Sequence, residues 1–135
     1  TDTNMALAGI TKPGLAKLGG QALCFMADPA VAATAKQAGT TRAVAAMHKA
    51  AAEYPGAVLA VGNAPTALLE LGELIRGGAL SPALVIGVPV GFVNVVESKQ
   101  QIMDAGAPYI VARGRKGGSN VAAAICNAML YQIAR

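Results

Sequence analysis

Three segments of the chain repeat one pattern, and that repeat restricts the fold more than any other feature. Ala57-Val58-Leu59-Ala60-Val61 runs into Gly62-Asn63-Ala64-Pro65 and then a helical pattern over Thr66 to Arg76. Ala83-Leu84-Val85-Ile86 runs into Gly87-Val88-Pro89-Val90-Gly91 and a helical pattern up to Ala105. Tyr109-Ile110-Val111-Ala112 runs into RGRKGG and a helix to the C-terminus. Continuous apolar strands belong in a sheet covered on both faces. Strand, short Gly-rich loop and helix, repeated, gives parallel β-α units. The expected class is therefore α/β: an open parallel sheet with helices on both faces, a Rossmann-like three-layer arrangement. Gln21 to Met26 reads as a further strand, for a sheet of four or five strands. Asp28-Pro29 supplies an N-cap and a first-turn proline for the helix that follows. Another helix is expected from Thr41 to Glu53, stopping before Pro55-Gly56.

In an open parallel sheet, ligands bind outside the carboxyl ends of the strands. Here those ends carry MADP, GNAPT, GVPVG and RGRKGGS. Their glycines let backbone approach a ligand closely. Each following helix turns its N-terminus, with free N–H groups and partial positive charge, to the same edge. RGRKGGSN, residues 113 to 120, adds three formal positive charges. A carboxylate or a phosphate is the chemistry such an edge meets. Glycine at a strand-to-helix turn is also plain turn chemistry, and neither GxGxxG nor GxxxxGK[ST] is present to mark a dinucleotide or P-loop site.

At 135 residues the chain is read as one domain, 1–135. The 54% apolar and 13% charged composition excludes disorder and points to surface covered by a partner subunit. No apolar run reaches the length of a membrane span, and no basic-then-apolar leader is seen. Net charge is +4, but five aromatic residues and no basic helical stripe argue against nucleic acid. Cys24 and Cys126 lack metal-ligand spacing and read as buried apolar residues of a reducing compartment. His48, the only histidine, reads as a surface residue of its helix.

Two longer stretches carry a resemblance. VGNAPTALLELGELIRGGALSPALVIGVPVGFVNVVESK, residues 61 to 99, and APYIVARGRKGGSNVAAAICNAM, residues 107 to 129, closely resemble the C-terminal half of the precorrin-8X methylmutase family. TNMALAGITK (3 to 12) and AGTTRAVAAM (38 to 47) fit the middle of that family, so the resemblance covers essentially the whole chain. It implies an α/β homodimer of the cytoplasm and an isomerase of cobalamin biosynthesis. That isomerase moves a methyl group from C-11 to C-12 of the corrin ring, to give hydrogenobyrinate or its cobalt form. The rearrangement is intramolecular and needs no cofactor or metal site on the protein. The substrate is a tetrapyrrole fringed with carboxylates, in agreement with a cationic, Gly-rich edge.

The same resemblance places substrate contacts at Thr11, Arg42, Asn63, Thr66, Gly91, Phe92, Arg113, Arg115, Gly117, Gly118 and Ser119. Glu97 and Lys99 of ESK are read as an ion pair that positions their helix. Family members carry an N-terminal His-Ala-Cys-Gly-like motif whose histidine is the proposed proton donor. These residues contain no such motif, so no catalytic residue is assigned, and the alternative is a tetrapyrrole-binding or dimer-forming fragment without that acid.

Overall fold

A computed structural model describes residues 1–133. Its centre is three parallel strands, β1 (Val58–Val61), β2 (Leu84–Gly87) and β3 (Tyr109–Val111), ordered β1-β2-β3. Val58 pairs with Leu84 and Val61 with Gly87; Val85 pairs with Tyr109 and Gly87 with Val111. Successive side chains of a strand point to opposite faces, and both faces are buried along β1 and β2 past their first residues, while β3 is more exposed. Leu59, Val61 and Val85 enter one core cluster, while Ala60, Ile86 and the following Val88 enter another.

Short helices α1 (Asn4–Gly9) and α2 (Lys12–Lys17) precede α3 (Pro29–Ala38) and α4 (Arg42–Glu53). Then α5 (Pro65–Arg76) follows β1, α6 (Val95–Asp104) follows β2, and α7 (Ser119–Ile133) follows β3. The first core cluster is completed by α3, α4, α5 and α6, the second by α1 and α7, so the sheet is the middle of three layers. Caps fix the helix starts. Thr3, Thr11, Asp28 and Thr41 each accept a backbone N–H of their own first turn. Pro29 opens α3 as its sequence suggested.

The stretch from Gln21 to Met26 corrects the sequence reading: it is not a strand, and the sheet of the described residues has three strands rather than four or five. The run QALCFM is apolar but has no β-branched residue to favour the pleat. Its Leu23 carbonyl accepts from the Thr1 nitrogen (2.9 Å), and the outer edge of β1 accepts instead from Asp2, whose N–H donates to Ala60 O at 3.2 Å. Cys24 and Cys126 are free and half-buried rather than buried, and burial pushes the Cys126 thiol up from its ordinary value. No helix among the described residues is long and apolar enough to cross a membrane.

Candidate functional site

The loops at the carboxyl ends of β1, β2 and β3 surround an open hollow of about 420 Å³. Its lining includes Asn63 after β1, Val90 after β2, and Gly117, Gly118, Ser119 and Asn120 where the third loop enters α7. Thr3 and Met5 close the hollow from the start of α1. Close backbone contact brings these loops together. A Cβ on Gly117 would lie 2.0 Å from the Val88 carbonyl oxygen, and one on Gly62 would lie 2.8 Å from the Gly118 carbonyl oxygen. The Gly118 N–H donates to that same Val88 oxygen at 2.8 Å. Ser119 and Thr3 share a hydroxyl–hydroxyl hydrogen bond of 2.7 Å, which ties the start of α7 to the start of α1.

Asp2 organises the β1 loop. It is 1% exposed. Its carboxylate accepts from the N–H groups of Gly62 (2.8 Å), Asn63 (3.0 Å) and Ala64 (2.8 Å). Ala64 is the N-cap of α5 and has no side chain with which to cap it. A carboxylate from the far end of the chain does so instead, where the helix dipole favours negative charge. The β1 loop is thus an anion site that its own chain already fills. The backbone N–H groups of Gly62, Asn63 and Ala64, which the sequence offered to a ligand, are taken by Asp2.

The rim is different. Arg113, Arg115 and Lys116 are all exposed, and no ion pair among the described residues includes any of them. Arg115 lies over the Phe92 ring, 5.6 Å from its centre. Phe92 is 83% exposed and Val93 78%, in a loop that Gly91 opens at φ 127° and Asn94 closes at φ 60°. Unpaired cations therefore stand beside a bare apolar patch, over a hollow lined with amide, hydroxyl and glycine backbone. That combination suits a flat apolar ligand with anionic groups at its edge.

The profile of the precorrin-8X methylmutase family matches residues 1–132. The chain belongs to that family. The cobalt-precorrin-8 methylmutase of Priestia megaterium is 46% identical over 128 residues, which are 95% of this chain and 57% of that protein. The cobalt-precorrin-8 methylmutase of Salmonella typhimurium is 49% identical over 134 residues, 98% of this chain and 62% of the relative. A crystal structure of precorrin-8x methyl mutase from Thermus thermophilus superposes with a TM-score of 0.90 at 44% identity, covering 98% of this chain and 64% of the other. The chain thus spans about three fifths of the length of these methylmutases.

Within this methylmutase fold the residues singled out from sequence divide into groups. Asn63, Gly117, Gly118 and Ser119 line the hollow. Gly91, Phe92, Arg113 and Arg115 belong to the two loops at its rim. Arg42 and Thr66 begin α4 and α5; both helices run back toward the amino ends of the strands, so both residues lie at the carboxyl end, outside the lining. Arg42 donates to the Met26 carbonyl at 3.5 Å. Thr11 caps α2, and its N–H donates to Asn127 Oδ1 at 2.8 Å, eight residues along α7 from Ser119. His48 is exposed on α4 and bonds Glu70 at 2.8 Å, apart from the hollow.

One expectation is corrected outright. Lys99 does not pair with Glu97, which is exposed; it is buried and bonds three carbonyls of the loop after β3. Sequence reasoning also missed Asp2, Thr3 and Met5. Their spacing from the loops they join, about 60 residues for Asp2 and 116 for Thr3, leaves no local signal.

Proposed function

We propose that the hollow and its rim cradle a tetrapyrrole polycarboxylate, precorrin-8X or its cobalt-containing counterpart, and that the protein is a methylmutase of cobalamin biosynthesis. The observation that carries this reading is the set of exposed cations without acidic partners beside the bare Phe92 and Val93. The apolar face of the macrocycle would rest on the GVPVGFV loop. Carboxylates on its fringe would meet Arg113, Arg115, Lys116 and the donors of Ser119 and Asn63, with Arg42 and Thr66 in reach of outlying groups. The reaction would be an intramolecular methyl shift from C-11 to C-12, in which nothing enters or leaves the molecule. Among the described residues the lining contains no imidazole and no carboxylic acid. These residues are therefore assigned to binding and orientation, and His48 is not the proton donor.

The reading extends to a cytoplasmic homodimer with residues 1–135 as one domain. The half-exposed Tyr109 and Ile110 on the outer strand β3 support a further partner surface, and the two core clusters on one sheet support one domain. Titration with hydrogenobyrinate, followed by visible absorbance, tests the cradle. Saturable binding is expected, weakened about tenfold to a hundredfold in an Arg113→Ala/Arg115→Ala variant, equivalent to about 1.4–2.7 kcal/mol, and less in Arg42→Ala. Equal binding by the double variant at low salt would refute it. Conversion of precorrin-8X then separates an isomerase from a binding module.

A further inference from the structure

Helix α6 carries a lysine that does not reach water. Lys99 is 1% exposed, and its ammonium donates to the carbonyl oxygens of Ala112 (2.5 Å), Gly114 (2.7 Å) and Lys116 (2.8 Å). An ammonium has three donors and no acceptor. All three are used, and all on one loop. No carboxylate balances the charge: none of the ion pairs among the described residues includes Lys99. Burying an ammonium without a counter-charge is costly, and burial pulls this one down from the ordinary lysine value. Leucine or methionine would fill the same space without that cost. What the ammonium supplies, and an apolar side chain cannot, is a point on which alternate carbonyls converge.

The spacing shows what that does to the loop. Carbonyls 112, 114 and 116 turn inward to one atom, while the side chains of Arg113, Arg115 and Lys116 are left exposed. The next two residues are pinned separately, Gly117 by close approach to Val88 and Gly118 by its hydrogen bond to the Val88 carbonyl. Helix α6 also begins directly after the Phe92 loop, whose ring carries Arg115. One helix thus fixes both rim loops relative to each other. None of the three exposed cations of the loop, nor Lys99 itself, is in an ion pair among the described residues.

We propose that Lys99 is a positioning residue: its buried ammonium is an internal template that folds the 112–116 loop around itself and presents Arg113 and Arg115 to the ligand. The proposal rests on the reading that this loop meets ligand carboxylates, and its test has one arm that needs no ligand. Lys99→Met keeps the apolar stem and removes every donor. The loop contains its own trypsin sites at Arg113, Arg115 and Lys116, and exposed Lys36 in α3 serves as a distant control. In Lys99→Met, with parent-like circular dichroism, native-state trypsin cleavage within the loop should quicken at least about tenfold while cleavage at Lys36 stays within about twofold. Hydrogenobyrinate affinity should fall by a similar factor. Lys99→Arg, which keeps charge and donors, should retain most of the loop's protection, and it carries the test if the methionine variant does not fold. Parent-like loop cleavage in Lys99→Met, or a loop in Lys99→Arg cut at least about tenfold faster, overturns the template whether or not the ligand reading stands. A loosened loop with unchanged hydrogenobyrinate affinity keeps the local anchoring but removes the loop from the ligand site, and the positioning role falls with it.

Discussion

The hollow at the carboxyl edge and the groove along the free edge of β1 are built by opposite means. Around the hollow, buried and half-buried polar groups hold the loops through specific partners. Asp2 takes three backbone N–H groups, Thr3 meets Ser119, and Lys99 gathers three carbonyls. The groove, about 520 Å³, is walled mainly by apolar side chains, among them Ile10, Leu15, Leu23, Phe25, Met129 and Leu130. Beside it Val58 of β1 is 47% exposed. The difference shows how each would respond to change. Hydrogen-bonded loops have one arrangement, and a lost partner leaves a buried group unsatisfied. An apolar wall yields gradually, because each side chain contributes many weak contacts.

The contrast can be broken most sharply at Gly117. A methyl group there must displace the Val88 carbonyl, which lies 2.0 Å from the position of the new Cβ and belongs to backbone that is itself buried. Gly117→Ala should lower stability by about 3 kcal/mol or more, read from the urea midpoint at constant slope. A cost under about 1 kcal/mol would show that the loops are not locked together. Asp2→Ala comes next. It strands three donors at the mouth of α5 and should cost about 2–3 kcal/mol, with Asp2→Asn recovering part because one carbonyl oxygen remains to accept. If both variants melt like the parent, the carboxylate does not cap α5. On the groove side, Leu130 is half-buried. Leu130→Ala should cost only about 1 kcal/mol, below the usual 2–5 kcal/mol for a fully enclosed leucine. A loss as large as that of Asp2→Ala would erase the distinction between the two regions.

The same contrast marks what could be read from sequence. The three β-α units were legible because each is local: an apolar run, a glycine turn and a capped helix lie within about thirty residues. Their shared edge followed from parallel pairing alone, so Asn63, Gly117, Gly118 and Ser119 were placed together without coordinates. What was hidden is long-range and polar. Nothing in TDTN announces that its aspartate will cap a helix beginning at Pro65, or that its second threonine will bond Ser119. Lys99 looked like half of a helical ion pair because Glu97 is near in sequence. Two residues apart on a helix do not face each other, and the burial that turned the lysine inward depends on the third strand and its loop. The apolar run from Gln21 to Met26 failed as a strand for a related reason: a strand is defined by its neighbour, and a pattern names no neighbour.

The smallest effect belongs to the border of the groove, where charge rather than packing can be tested alone. Lys49 of α4 donates to the Asp28 carboxylate and lies over the Phe25 ring at 4.7 Å from its centre. Asp28 also accepts the Ala30 N–H at 2.8 Å as N-cap of α3. The Lys49 hydrogen bond first, and the Ala30 N–H second, hold the Asp28 carboxyl below the ordinary aspartate value. The Asp28 contact in turn raises the Lys49 ammonium above its ordinary value. A carboxylate with a lowered value in the fold stabilises above the unfolded value of about 4 and loses that contribution as pH falls through its folded value. A lysine with a raised value contributes below about 10.4 and loses that contribution as pH rises through the folded value. The pair should therefore give a plateau between those limits, with one shoulder on the acid side and one on the alkaline side. Both partners are near water, so the shoulders should be slight and should shrink further in salt. In Asp28→Asn the cap survives through the amide oxygen but the charge is gone. Its thermal midpoint should trail that of the parent slightly at neutral pH, and the two should converge as pH falls through the folded value of Asp28. A gap that persists unchanged into strong acid would mean that the capping geometry, and not the charge shared with Lys49, is what Asp28 contributes.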